Sequence, residues 1–318
     1  MVLASSAISL VAPFPKIGNL ARKYEHIAEN GDKYSMIYVG SSRVFHEFIP
    51  QQFDAALAAR GHEIHSLNFG QDGMWPPESL YMLRKILATK PRALRWVFID
   101  LSPIKPLIPG SETTLRSVYW HDLRHTWMAL RYITSVPMEG QRTLGEMLSR
   151  TSQHLSLWSE RFAFAGAGSD RLQLAVGLER EKKSVTLQKA GFEEGNPGPI
   201  RGEDLKIFDE RLAILRNAQP KPIWPVFRDA LEDIIKDVRA AGAEPIFVVP
   251  ANLAMVVRFS DWPPVGVNVF AFDDPNRFPQ FYNPEHRCDL EHLDPQAAAE
   301  FTHALAERFA QFLEAGKK

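Results

Sequence analysis

Two short blocks far apart in the chain, Gly40-Ser41-Ser42-Arg43 and Asp289-Leu290-Glu291-His292, hold the residue types that acyl transfer needs. A serine hydroxyl becomes a nucleophile once an imidazole takes its proton, and a carboxylate three residues before the histidine can orient that imidazole. The serine block follows Met36-Ile37-Tyr38-Val39, whose β-branched and aromatic content reads as a short buried strand. A serine just past a strand end, at the mouth of a helix, stands where backbone N–H groups and the helix dipole favour negative charge.

The elements that must position these blocks can be read from periodicity. Five apolar runs predict buried parallel strands at Ser35–Val39, Glu63–Asn68, Arg95–Leu101, Glu244–Val249 and Val267–Phe272. Trp96-Val97-Phe98-Ile99 and Ile246-Phe247-Val248-Val249 are continuous rather than alternating, as strands covered on both faces should be. Helical patterns lie between them at Phe53–Arg60, Glu78–Thr89 and Pro225–Ala241, and a last one covers Pro295–Leu313. This alternation predicts a three-layer α/β/α, flavodoxin-like domain built on a parallel five-stranded sheet. Such sheets bind ligands beyond the carboxyl ends of their strands. Ser42 follows the first strand, Gly73 the second and Ser102 the third, while Asp289 and His292 follow the last, so one rim should gather them.

The whole chain, 1–318, reads as one such domain, interrupted from about 106 to 220 by a helical insertion. Its expected helices are Ser117–Ser135, Thr143–Ala165 and Glu203–Asn217, with a glycine- and proline-rich loop at Gly191–Gly202. The insertion leaves from a strand end and should lie over or beside the rim.

These blocks resemble the SGNH (GDSL-like) hydrolase superfamily, in particular bacterial members whose first block reads Gly-Ser-Ser-Arg. The likeness covers roughly Tyr34–Leu101 and Pro225–Phe312, not the insertion. It implies that Ser42, rather than Ser41, is the nucleophile, with Asp289 and His292 as its partners. It also implies that Gly73, closing Asn68-Phe69-Gly70-Gln71-Asp72-Gly73, lends a backbone N–H to an oxyanion hole. The third block of such proteins supplies an asparagine, where this chain has Asp100-Leu101-Ser102-Pro103. Either the Ser102 hydroxyl or the Arg43 side chain would have to replace that donor, whose loss commonly costs about 2.7–4 kcal/mol of transition-state stabilisation. Similar departures occur in relatives that look like cell-envelope O-acyltransferases acting on alginate or teichoic acid. The implied substrate is an acylated carbohydrate or other small ester. A membrane-bound acyltransferase is an implied candidate partner, and the competing expectation is a catalytically idle binding or accessory protein for a cell-envelope glycan.

Other residues attract plainer readings. A serine at position 42 could be only a helix N-cap, and Arg43 could meet an anionic substrate or simply solvent. Asp294-Pro295 provides an N-cap and first-turn proline for the last helix, which leaves His292 free of that duty. Cys288, the only cysteine, excludes an internal disulfide and reads as a small buried hydrophobe. His121 and His125 have a zinc-type spacing but lack a following glutamate or an evident third ligand, so no metal and no cofactor are expected. Arg116 and Arg124 instead read as a polar patch facing substrate. Trp120, Trp127 and Trp158 read as core or as sugar platforms, and Asp72 as a brace for its turn.

Charge adds exclusions. With 37 basic against 38 acidic residues the net charge is −1, and no basic stripe marks a nucleic-acid partner. No run of 18 apolar residues predicts a spanning helix, so a soluble domain, cytoplasmic or periplasmic, is expected. Met1–Pro15 reads as an extended arm or the remnant of a signal or anchor.

Overall fold

A computed structural model describes residues 17–107, 114–135, 143–163, 189–196, 198–256 and 258–316. The arm expected at Met1–Pro15, and the Gly166-Ala167-Gly168 break expected within the insertion, lie outside these residues.

Five strands, β1 Met36–Gly40, β2 Ser66–Gly70, β3 Trp96–Asp100, β4 Glu244–Val249 and β5 Asn268–Ala271, form one parallel sheet. Their spatial order is β2-β1-β3-β4-β5, the flavodoxin-like order, and helices cover both faces. The order reverses between β1 and β3, and the crevice at that reversal is where such sheets accept ligands. Successive side chains alternate between the two faces. Ile37, Val39, Val97, Ile99 and Phe247 enter one core with helices α1 (Gly18–Asn30), α4 (Glu78–Ala88) and α9 (Pro225–Ala240). Met36, Tyr38, Phe98, Ile246 and Phe270 enter the other, with α2 (Ser42–Glu47), α3 (Pro50–Ala58), α8 (Gly202–Asn217) and α10 (Pro295–Ala315).

The second strand starts three residues later than the pattern predicts. Glu63-Ile64-His65 is irregular although Ile64 is buried, and the pairing runs on through Phe69 and Gly70. Gly70 can end the strand because it has no side chain. A Cβ there would stand 2.3 Å from the Phe45 backbone nitrogen, so α2 crosses directly over the strand end. Gly40 plays the same part on β1, where a Cβ would meet Asp100 Cβ and Val44 Cγ2 at 2.4 Å.

Within the insertion the described helices are α5 (Leu115–Trp120), α6 (Leu123–Ser135), α7 (Leu144–Ala163) and α8. The single helix expected over Ser117–Ser135 is therefore two. The break falls at Asp122, whose Oδ1 accepts the His125 N–H at 2.9 Å and so caps α6. The described residues at 191–196 and 198–201 are irregular, as the composition of this stretch predicts, and are tied down at their start. The Asn68 N–H donates to Ala190 O at 3.0 Å, and the Glu193 N–H donates to Phe45 O at 3.3 Å. No helix among the described residues is long and apolar enough to cross a membrane.

Candidate active site

Ser41 and Ser42 leave the end of β1 in different directions. Ser41 is the N-cap residue of α2, yet its hydroxyl turns inward and donates to Asp100 Oδ2 at 2.8 Å. Ser42 opens the helix, and its hydroxyl donates to His292 Nε2 at 2.7 Å. The N-cap reading of Ser42 is thereby corrected: position 41 holds the cap, and the position 42 hydroxyl is committed to an imidazole.

His292 is held from behind by Asp289. The Nδ1–H donates to Asp289 Oδ2 at 2.8 Å, while Asp289 Oδ1 accepts the backbone N–H groups of Glu291 and His292 at 2.6 and 2.7 Å. A carboxylate only accepts, so the Nδ1 proton belongs to His292 and its Nε2 lone pair faces Ser42. Burial opposes a charged imidazole, but the Asp289 hydrogen bond and charge, reinforced by Glu47 and Glu291, outweigh it and lift the His292 pKa above its ordinary value. The loop itself is shaped by Arg287, which is fully buried. Its guanidinium donates to Phe281 O at 2.8 Å, Leu290 O at 3.0 Å and Asp289 O at 3.2 Å. Asp294 caps α10 by accepting the Ala297 N–H at 2.8 Å, as its position before Pro295 predicts.

Arg43 and Ser102 occupy a different place from the one expected of them. The Arg43 Nη2 group donates to Ser102 Oγ at 2.7 Å and to Asp100 Oδ2 at 3.2 Å. Both residues are only 2% exposed, and the guanidinium lies 4.7 Å from the Trp75 ring centre. They form a buried brace that joins the ends of β1 and β3, with Ser41 as its third member. Asp100 stands near the position where an asparagine was expected, and Arg43 and Ser41 are its partners.

Gly73 lies in the turn after β2. The Met74 N–H donates to Gln71 O at 3.0 Å to close that turn, and the Gln71 N–H donates to Gly40 O at 3.1 Å to tie it to the end of β1. Gly73 has a φ of +62°, which glycine adopts without steric cost. Asp72 braces the turn as expected, accepting from His46 Nε2 at 2.9 Å.

Several residues that the sequence pattern does not mark surround this site. Glu47, at the end of α2, is wholly buried and accepts the Leu293 N–H at 3.1 Å. Burial lifts its pKa to about 7, against the pull of His292, the Leu293 N–H, Arg287 and Arg43. His46 bonds Glu193 O at 2.9 Å through Nδ1 and Asp72 through Nε2, and its ring meets the His292 ring edge-on at 6.4 Å. Both of its partners accept only, so His46 satisfies them as an imidazolium. Burial works against that charge, but the bonds to Asp72 and Glu193 outweigh it and raise the pKa. Lys23 of α1 is buried beneath the rim, donating to Gly70 O at 2.6 Å and lying 4.1 Å from the Phe45 ring centre. Desolvation holds its pKa well below the ordinary lysine value. No spacing signal announces these residues, because each is defined by what packs over it in three dimensions.

The remaining candidates separate. The Cys288 thiol lies 2.8 Å from Asn196 O, and burial, with Asp289 and Asp294 nearby, pushes its pKa up to about 11. Such a thiol is a poor nucleophile. His121 bonds Ser117 O and His154, whereas His125 bonds Asp122 and Arg84, so the two histidines do not converge. Among the described residues no cluster of three or more potential ligands is arranged to hold a metal. Arg124 pairs with Asp233 and Asp237 on α9, and Arg116 with Glu78 and the Asp72 carbonyl. Neither arginine presents a free head toward substrate, which corrects that expectation. Trp120 is buried against His121, while Trp127 is exposed on α6. A cavity of about 510 Å³, lined by Leu101, Val249, Arg258, Trp262, Ala271 and Asp273, opens beyond β4 and β5, two strands along the rim from Ser42.

Comparison with protein-family profiles and with curated proteins finds no match to this chain.

Proposed function

We propose that this chain is a serine-dependent acyl-ester enzyme of the SGNH type, acting through an acyl-enzyme on Ser42. The observation that carries the reading is the continuous relay from Ser42 Oγ to His292 Nε2, 2.7 Å, and from His292 Nδ1 to Asp289, 2.8 Å. Both lengths lie within the range in which a base accepts a nucleophile's proton. His292 takes the Ser42 proton as the oxygen attacks the ester carbonyl. Asp289 holds the ring in its working tautomer and balances the imidazolium that forms. Backbone N–H groups of Ser42 and Gly73 are the oxyanion donors in this reading; neither has a hydrogen-bond partner among the described residues. The imidazolium then returns its proton to the leaving alcohol. An incoming hydroxyl, deprotonated by the same nitrogen, releases the acyl group.

Water as that acceptor makes the protein an esterase, and a sugar hydroxyl makes it an O-acyltransferase. With Arg43 and Ser102 engaged in their brace, no third donor is assigned, which favours slow hydrolysis and leaves room for transfer to an acceptor. The same brace is the one feature that favours the alternative, a catalytically idle glycan-binding accessory on this fold. Turnover of p-nitrophenyl acetate separates the two. The enzyme reading expects wild-type turnover that falls by two or more orders of magnitude in both Ser42→Ala and His292→Ala. Wild-type turnover no faster than that of either variant would favour the idle protein.

A further inference from the structure

The turn that carries Gly73 has two ways to present its central peptide. Residues 71–74 are closed by the Met74 N–H to Gln71 O bond, with a positive φ at Gly73 and none at Asp72. That is the type II pattern; in the type I alternative the third residue has negative φ, and the peptide between positions two and three is turned over. The central unit here is the Asp72–Gly73 peptide, and in a trans peptide the C=O and N–H point in opposite directions. Whatever grips the Asp72 carbonyl therefore sets the direction of the Gly73 N–H.

Arg116 grips it. Its Nη1 donates to Asp72 O at 2.6 Å, while Nη2 donates to Glu78 Oε2 at 2.8 Å and Nε bonds Glu78 Oε1. Glu78 is a buried carboxylate on α4, so the guanidinium is clamped by a two-point fork before it reaches the turn. The Asp72 side chain is held separately by His46. Arg116 comes from α5 of the helical insertion, outside the sheet and its connecting loops.

We propose that Arg116 is a positioning residue for the oxyanion hole, fixing the Asp72–Gly73 peptide so that the Gly73 N–H is presented to the developing oxyanion. This rests on the serine-enzyme reading above. It gives the insertion a part in the chemistry besides any part in binding. Without the arginine the central peptide can turn over, and the donor is lost from a fraction of molecules. Charge on the guanidinium also polarises the same peptide, which strengthens its N–H as a donor.

The test is steady-state kinetics of Arg116→Met and Arg116→Lys on p-nitrophenyl acetate, each with its melting temperature. A lysine keeps the ion pair with Glu78 but has no fork with which to hold both partners. Direct removal of an oxyanion donor costs about 10²–10³ in kcat. Loss of its support should lower kcat by roughly 10- to 100-fold in either variant, with KM changed by less than about threefold. The lysine variant should keep a near wild-type melting temperature, and guanidinium ion added at tens of millimolar should restore part of the kcat of Arg116→Met. A wild-type kcat in Arg116→Lys, or a rise in KM that accounts for the whole loss, overturns the proposal. Failure of the underlying reading looks different: Ser42→Ala would then turn over ester as fast as wild type, whatever Arg116 does.

Discussion

Replacing Glu47 with glutamine should remove a pH dependence from the stability of the protein. Glu47 is wholly buried, and its pKa rises from an ordinary 4.5 to about 7, chiefly because burial penalises the carboxylate. Between those two values the folded protein holds a proton that the unfolded chain has released. Stability therefore falls as pH rises through that window and is flat above it. That displacement, at about 1.4 kcal/mol per pH unit, amounts to about 3 kcal/mol. Glutamine keeps an oxygen for the Leu293 N–H but cannot ionise. Urea unfolding of both proteins at several pH values from about 4.5 to 8 gives the wild-type-minus-variant difference, in which other titrations largely cancel. It should change by about 3 kcal/mol in favour of the variant as pH rises. The same substitution removes a charge that supports the His292 imidazolium, so the acidic limb of kcat/KM should move to lower pH. A stability difference independent of pH across the window would refute the burial argument.

Arg43→Met should destabilise the protein by about 3–5 kcal/mol, because it leaves Asp100 buried without its cationic partner; chemical denaturation reads this directly. Asp289→Asn should lower kcat by roughly 10²–10⁴-fold with little change in KM, since the amide offers no charge to the imidazolium and favours the wrong tautomer, as steady-state kinetics would register. Gly70→Ala should lower stability by about 1–3 kcal/mol or more, because the new methyl meets the Phe45 backbone at 2.3 Å rather than a side chain that could move; thermal unfolding checks it.

Much of the architecture was legible because the sheet is covered on both faces. Continuous apolar runs at Trp96–Ile99 and Ile246–Val249 leave few other ways to bury so much surface, and the parallel five-stranded sheet followed. The second strand, expected over Glu63–Asn68, runs on to Gly70, where the missing side chain admits α2. The split between α5 and α6 carried its own signal, an aspartate three residues before His125, but the apolar pattern on either side concealed it. At the site, residue type and spacing pointed to the Gly40–Arg43 and Asp289–His292 blocks, the resemblance implied Ser42 rather than Ser41 within the first, and the fold brings Ser42, His292 and Asp289 within hydrogen-bonding distance. Arg43 and Ser102 also stood out, as candidate donors, but their bracing role did not, because their burial depends on Asp100 and Trp75 closing around them. Glu47, Arg287 and Lys23 were invisible for the same reason. Charged residues are expected at the surface, and nothing in a linear sequence marks the ones that the core encloses.

The central claim is that Ser42 is a nucleophile activated by His292, and covalent trapping tests it most directly. The protein is treated with a fluorophosphonate at neutral pH, digested, and the adduct located by mass spectrometry. The account predicts a single phosphonylated serine, Ser42, with labelling abolished in Ser42→Ala and slowed by at least tenfold in His292→Ala. Labelling of a peptide that lacks Ser42, or equal labelling of Ser42→Ala, would contradict it.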